Sequence, residues 1–410
     1  MSKHFYALCG AFDRHNYGDI LFPLLHGHVI RQNLGGQAEI RYYSVKEADL
    51  SEFGGVKADS MKSLYLRIHK EPERHHVIFC GGDVLSADWV TMLGHHLPSD
   101  FLCRTLAAGR RLLGSKLANH WLRLAFRQPS KFPYVMDPKE AVASIHYTGV
   151  GASGFNVSRD PQHCISVAAL LEGADSLSVR DQTAVELLST LDVPARLVPD
   201  TALIMSDIFP EEKLAELAWQ DKLETCHGFD PDNYVVFQAA RIHLEHEQGS
   251  VAQQLADLYA SSNLSVLLLP IGRAVGHSDA QVLQTLFQEL DKRGIPCALQ
   301  QSPHVLHIMA SLAFSSGYIG TSLHGAISAY AFGHKVCGIA TRRVKKLQAF
   351  LETWMKPIDA VSVQGTRFLE PFIELISSGK SVTGAEELAK QKLMVYADMN
   401  RYLPEHTGDI

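Results

Sequence analysis

Short, unbroken apolar runs alternate with glycine- and aspartate-rich turns and with segments of helical period along most of the chain. The apolar runs stand at 4–12, 38–45, 75–80, 143–150, 176–180, 195–198, 234–240, 265–271, 296–300, 317–321, 335–340 and 359–363. Most are continuous rather than alternating, which suits strands buried on both faces, as in a parallel sheet covered by helices. Segments 19–34, 181–191, 245–261, 278–293, 304–315, 324–332, 343–355 and 383–402 read as helices. Gly35-Gly36 stops the first of these, and Ser278 and Gly294 bracket the fourth. Such alternation predicts βαβ crossovers, hence an α/β chain with doubly wound parallel sheets. About a dozen strands exceed one ordinary open sheet. Two Rossmann-like domains facing a cleft are therefore expected.

The alternation breaks near 205–232, at a charged segment, Glu211–Cys226, that reads as a helix, and at the polar turn that follows it. This divides the chain into 1–207, 208–382 and a terminal helix and tail, 383–410, expected to pack back across the hinge. With 46% hydrophobic and 20% charged residues there is ample apolar material for two cores. Lys and Arg total 38 against 44 Asp and Glu, a net charge of −6, which argues against a nucleic-acid binder. The seven cysteines have no C-x-x-C or zinc-ribbon spacing, and their odd number and scatter suit a reducing cytoplasm. His243/His246 and His304/His307 have i,i+3 spacing without a third ligand in register, so no metal is expected. Asp13 and Arg14 arrive before an export-type apolar core could form, and no run reaches the ~18–20 apolar residues of a membrane span. A cytoplasmic location follows as the expectation.

Ligands of open α/β sheets bind beyond the carboxyl ends of the strands. Five motifs sit there. Cys9-Gly-Ala-Phe-Asp-Arg-His-Asn-Tyr-Gly-Asp links the first strand to the first helix. It is too long for a dinucleotide fingerprint. Asn16 and Asp19 either face the cleft or only cap the helix. Phe79-Cys-Gly-Gly-Asp makes a sharp turn whose amides can approach a ligand, with Asp83 as a base or a cap. Ser178-Val-Arg-Asp places Arg180 at a strand end, to grip an anion or to pair with Asp181 or Asp200. Arg241 and Arg273 follow two strands of the second half and together can neutralise a dianion. The sharpest motif is Thr321-Ser-Leu-His-Gly-Ala-Ile-Ser-Ala-Tyr-Ala-Phe-Gly. Free amides at this helix start favour an anion, Thr321 and Ser322 add hydroxyls, and His324 stands where acid–base chemistry is wanted. Separately, residues 101–131 carry seven basic residues, no acid, and leucines at helical spacing. Such a segment either contacts an anionic membrane surface peripherally or is the basic outer face of a packed helix.

Taken in order, these motifs resemble the polysaccharide pyruvyl transferase family. The matching pieces are N-Y-G-D at 16–19, F-C-G-G-D at 79–83, G-V-G-A at 149–152, S-V-R-D at 178–181, P-D-T-A at 199–202, the run 321–333, and Lys345 downstream. The resemblance spans roughly residues 5–355. It implies a GT-B-like pair of Rossmann-like domains and transfer of the pyruvyl group of phosphoenolpyruvate onto two hydroxyls of a sugar as a ketal. The product would be a cell-surface or exopolysaccharide unit or its precursor. The first domain would then hold the acceptor and the second the donor, with no separate cofactor. Arg180 matches the family's R-D/E arginine and His324 its histidine. Ser322 stands where many members have arginine, so that anion contact falls to Arg241, Arg273 or Lys345. The resemblance makes His324 the acid and Asp19 or Asp83 the base, with Asn16, Thr321 and Ser322 among the substrate contacts. Two other readings stay open: a GT-B glycosyltransferase using a nucleotide sugar, and a non-catalytic binding protein on the same scaffold.

Overall fold

The computed structural model describes residues 4–71, 75–94, 115–140, 142–158, 160–240, 247–272, 279–340, 345–379 and 382–404. Two twisted sheets organise them. The first holds β1 (His4–Cys9), β2 (Ala38–Ser44), β3 (Ala48–Asp49), β4 (Lys57–Ser60), β5 (His75–Cys80), β6 (Ser144–Val150), β7 (Ser176–Val179) and β8 (Arg196–Leu197), in the order β3-β4-β2-β1-β5-β6-β7-β8. The second holds β9 (Leu223–Cys226), β10 (Tyr234–Gln238), β11 (Ser265–Leu268), β12 (Cys297–Gln300), β13 (Gly317–Gly320), β14 (Lys335–Ala340) and β15 (Ala360–Gln364), in the order β15-β14-β13-β10-β11-β12-β9. Within both sheets the pairs are parallel except β3 with β4 and β9 with β12, each at an edge. Strands β10 to β14 are buried along their whole length, as their unbroken apolar runs require.

Residues 211–226 depart from the sequence reading. The helix ends at Ala215, a 3-10 turn covers Gln220–Lys222, and Leu223–Cys226 is the antiparallel edge strand β9. Its pairing with β12, Cys226 opposite Cys297, outweighs the helix propensity of so short and polar a stretch.

Helix Tyr17–Leu34 lies between the two sheets. Asn16 caps it by accepting from the Gly18 amide at 3.3 Å, and Gly35, at φ 52°, ends it. Such a cap is worth about 1 kcal/mol. Ile20, Leu21, Leu25 and Val29 belong to one continuous apolar core that also contains Val305, Ile308, Met309, Leu323 and Ile327 of the second domain. A shared core of this kind holds the domains to one another more firmly than a polar hinge would. Helix Val382–Met399 adds a strap. It runs from beside Asp359 of the second domain, against which Gly384 packs, to the first domain. There Asp398 accepts from Ser178 at 2.5 Å and pairs with Arg196 at 2.6 Å. Beyond it, the Tyr402 hydroxyl meets His26 Nδ1 at 3.0 Å.

Candidate active site

Each sheet has a switch point, where successive crossovers leave in opposite directions and a crevice opens. In the first it lies between β1 and β5, and in the second between β10 and β13. The chain places these crevices face to face. Asn16, leaving β1, makes an antiparallel bridge to Gly272, beyond β11. The Tyr17 hydroxyl meets Ser328 Oγ at 2.9 Å. The ring of His324 lies so close over Gly18 that a Cβ there would stand 1.8 Å from Nδ1, so any side chain at this position must displace that ring. Phe22 meets the same ring edge-on, with centroids 5.4 Å apart.

A buried amide sets the start of the His324 helix, Leu323–Ala331. Gln238 Oε1, at the end of β10, accepts from the Thr321 and Ser322 amides at 3.2 and 2.9 Å and from the Tyr318 hydroxyl at 3.1 Å. Its Nε2 donates to Asp279 at 2.8 Å. The hydroxyls of Thr321 and Ser322 take part in this scaffold. Thr321 Oγ1 accepts from the Ala240 amide and lies 3.3 Å from Gln238 Oε1, and Ser322 Oγ caps the Gly325 amide. The amides of Leu323 and His324 have no intrahelical acceptor, by helix geometry.

At the junction of the domains, Asp200 lies at the centre. It is fully buried and caps the 3-10 turn Thr201–Ile204 through the Ala202 amide at 3.0 Å. Its Oδ2 meets Arg180 Nη1 at 3.1 Å and His324 Nε2 at 3.7 Å, ion-pair range rather than a hydrogen bond for the histidine. Burial opposes ionisation of Asp200, but His324 and Arg180 outweigh it and hold the carboxyl below its ordinary range. Arg180, 2% exposed, is locked from behind by Trp354, whose indole N–H donates to the Arg180 carbonyl at 2.7 Å. Among the described residues, Arg180 Nε, Thr201 Oγ1 and His324 Nε2 are buried without a hydrogen-bond partner. Orphan groups collected at one junction need a ligand or water to satisfy them.

The first domain contributes carboxylates. Asp19 pairs with Arg14 at 3.5 Å. Gly81 and Gly82, at φ 62° and 75°, turn the chain sharply after β5, and Asp83 then accepts from the Ser153 amide at 2.9 Å and from its hydroxyl. Asp181 caps the helix Gln182–Ser189 at 2.9 Å, and burial raises its carboxyl above the ordinary range. Lys346, exposed like its neighbour Lys345, lies within electrostatic reach of this group. Water reaches it, yet protein crowds it on most sides. Crowding lowers its pKa, reinforced by Arg180 and Arg14 and opposed by Asp83 and Asp19.

The structure thus brings together His324, Arg180, Asp19 and Asp83, with Asn16 at the rim as a helix cap. Lys345 and Lys346 are both exposed, and Lys346 is the one that feels the charges of Arg180, Arg14, Asp83 and Asp19. Arg241, Arg273, His243 and His246 lie outside the described residues, as do 101–114 of the basic segment. Asp200, Arg14, Lys346 and Gln238 were missed as site residues. Asp200 was signalled by the P-D-T-A run at a strand end, whereas nothing local distinguishes Gln238. Among the described residues no helix is long and apolar enough to cross a membrane.

Comparison with solved structures places the fold. A putative UDP-N-acetylglucosamine 2-epimerase from Listeria monocytogenes superposes with a TM-score of 0.56 at 12% identity, over 99% of this chain and 98% of that one. MnaA of S. aureus, solved with UDP, gives 0.53 at 13% identity, over 98% and 94%. The UDP-GlcNAc 2-epimerase from Neisseria meningitidis bound to UDP-GlcNAc gives 0.52 at 12%, over 97% of each chain. These likenesses show a GT-B-like pair of α/β domains. Among curated proteins none matches the chain in sequence. The family model for polysaccharide pyruvyl transferase matches residues 16–343, from the cap of the first helix past β14. The chain therefore belongs to the polysaccharide pyruvyl transferase family, a family of transferases.

Proposed function

We propose that the protein transfers the pyruvyl group of phosphoenolpyruvate to two hydroxyls of a sugar unit, forming a ketal and releasing phosphate. The observation that carries this reading is the convergence of His324 and Arg180 on Asp200 Oδ2 where the two switch points meet. Lys346 and the amides of Leu323 and His324 supply positive potential for a donor that bears both phosphate and carboxylate. Arg180 is buried and engages Asp200 through Nη1, which leaves its Nε for the donor or a water. It also holds Asp200, which in turn orients His324.

In the proposed reaction, His324 gives a proton to the methylene carbon, and C2 becomes an oxocarbenium-like electrophile. One sugar hydroxyl attacks C2 and surrenders its proton to Asp19 or Asp83. The C2–O bond to phosphate breaks, and a second hydroxyl closes the ketal, its proton leaving with phosphate. Fixed cations stabilise the departing charge without rearranging.

The nucleotide-sugar reading draws only on the fold shared with the Neisseria and S. aureus proteins. It calls for a free acid near a helix start of the second domain to hold a ribose. Glu247, the nearest described candidate, is already bonded to the Thr366 hydroxyl. Incubation with phosphoenolpyruvate and a panel of lipid-linked and nitrophenyl sugars should release phosphate in step with ketal formation. Silence across a broad panel, together with no binding of phosphoenolpyruvate, sinks the reading.

Helix Ser115–Ala125 bears on where this happens. Leu117, Trp121 and Leu124 share one face and are 50–63% exposed, beside Lys116 and Arg123. That combination suits an anionic membrane surface at the cytoplasmic side, from which a lipid-linked acceptor would reach the cleft.

A further inference from the structure

The second sheet carries a cluster of metal-ligating side chains at its β9 edge, at the far end from the cleft. Cys297 opens β12, whereas the cleft residues follow the carboxyl ends of the strands. Cys226 closes β9 directly opposite it, and the two free thiols stand 3.0 Å apart. His227 comes next in a left-handed turn, with φ 48°. Its Nδ1 lies 2.9 Å from Oδ1 of Asp291, at the end of helix Asp279–Lys292. The ligating atoms of Cys226, His227 and Asp291 all fall within 4.8 Å of one another.

We propose that Cys226, His227, Asp291 and Cys297 form a structural site for a thiophilic divalent cation of the zinc class. Two sulfurs, an imidazole and a carboxylate are a donor set that zinc accepts, and four protein ligands close the coordination sphere. Ligand atoms around tetrahedral zinc stand about 3.3–3.8 Å apart, given bonds of roughly 2.0–2.3 Å. The His227–Asp291 and Cys226–Cys297 spacings of 2.9 and 3.0 Å, and the 4.8 Å limit on the Cys226, His227 and Asp291 group, come within an ångström of that range, and Cys297 joins through its contact with Cys226. Cys297 is buried, Cys226 half-buried, and His227 and Asp291 about half exposed, so an ion can enter from one side and leave its thiols shielded. Thiols bind such an ion as thiolates, so two thiol protons pass to solvent as two metal–sulfur bonds form. The ion would tie the polar edge strand β9 and the end of the helix to β12. Edge strands are the parts of a sheet that most need such cover. This inference is independent of the proposed transfer reaction.

The test titrates cobalt(II) into reduced, EDTA-stripped, full-length protein. One cobalt per chain is expected, with a thiolate-to-metal charge-transfer band and the visible bands of tetrahedral cobalt, both abolished by added zinc. The double variant C226S/C297S should lose them. Asp291→Asn, the milder change, should weaken cobalt binding by at least the ~10-fold that even an outer-shell partner is worth. Its affinity for phosphoenolpyruvate and its circular dichroism should stay at wild-type values. Absence of the bands in the wild type, or their survival in the double variant, overturns the proposal. Denaturing thiol titration of the protein as isolated should count all seven cysteines. A count of five, with a peptide joining 226 to 297, would show a disulfide instead and overturn it too.

Discussion

Replacing Asp200 by Asn separates structural from chemical work at the junction. The change is isosteric and leaves an oxygen to accept from the Ala202 amide. What disappears is the charge facing Arg180 at 3.1 Å and His324 at 3.7 Å. At an effective dielectric of about 20, a unit pair at that shorter distance is worth on the order of 5 kcal/mol. Breaking a buried pair from one side typically costs ~3–5 kcal/mol, because the other charge stays buried and alone. At about 2–4 °C per kcal/mol in domains of this size, the melting temperature should fall by roughly 6–20 °C. The companion double variant R180M/D200N removes both charges and should recover most of the stability. It should not recover phosphate release, because His324 then lacks its orienting partner. Differential scanning calorimetry and a phosphate-release assay read the two effects separately. Asp200→Asn with wild-type melting and wild-type turnover would refute the reasoning, as would a double variant whose activity returns with its stability.

Four other outcomes are expected. Gly18→Ala drives a methyl into His324 Nδ1, so it should cost about 1–3 kcal/mol of stability and most of the turnover; unchanged activity contradicts the packing argument. Lys346→Ala should raise the KM for phosphoenolpyruvate by about 10- to 100-fold, the worth of one charge-assisted contact, whereas Lys345→Ala should not; steady-state kinetics of both decide it. Burial depresses His26 to about 3 and His146 to about 4. Because these folded values lie below the unfolded ~6.5, the stability they confer is complete above about pH 6.5 and is lost as pH falls towards those folded values. By about pH 5 the loss should be about 2 kcal/mol for each, and urea unfolding that is equal at about pH 7 and pH 5 would speak against it. Finally, the protein should partition onto anionic vesicles in a salt-sensitive way, and Leu117→Ser with Trp121→Ser should abolish that in a sedimentation assay.

Much of the architecture is legible from the residues because its strands are buried on both faces. The runs at 234–240, 265–271 and 335–340 have no polar face to confuse with a helix, and they became β10, β11 and β14. The strands not foreseen, β3, β4 and β9, are short, polar and at or next to a sheet edge, where pairing partners rather than side-chain pattern decide the conformation. The site divides in the same way. His324 and Arg180 stand out because strand ends open onto the crevice. The Arg180–Asp200 pair is one the residues themselves offer, but Asp200 meets His324, and Gln238 meets Thr321 and Ser322, across long stretches of chain. No local spacing encodes such contacts. Lys345 and Lys346 are adjacent, so only the rotation of their helix against the cleft tells them apart. The Cys226–Cys297 cluster escaped notice because its ligands come from a strand, a helix and a second strand far apart in sequence.

The most direct measurement is a crystal structure with phosphoenolpyruvate bound. The donor should lie between the domains, its acidic oxygens on Lys346 and the amides of Leu323 and His324, and its methylene carbon about 3–3.5 Å from the His324 ring. A donor found elsewhere, or a crevice that takes up UDP and refuses phosphoenolpyruvate, would contradict the account.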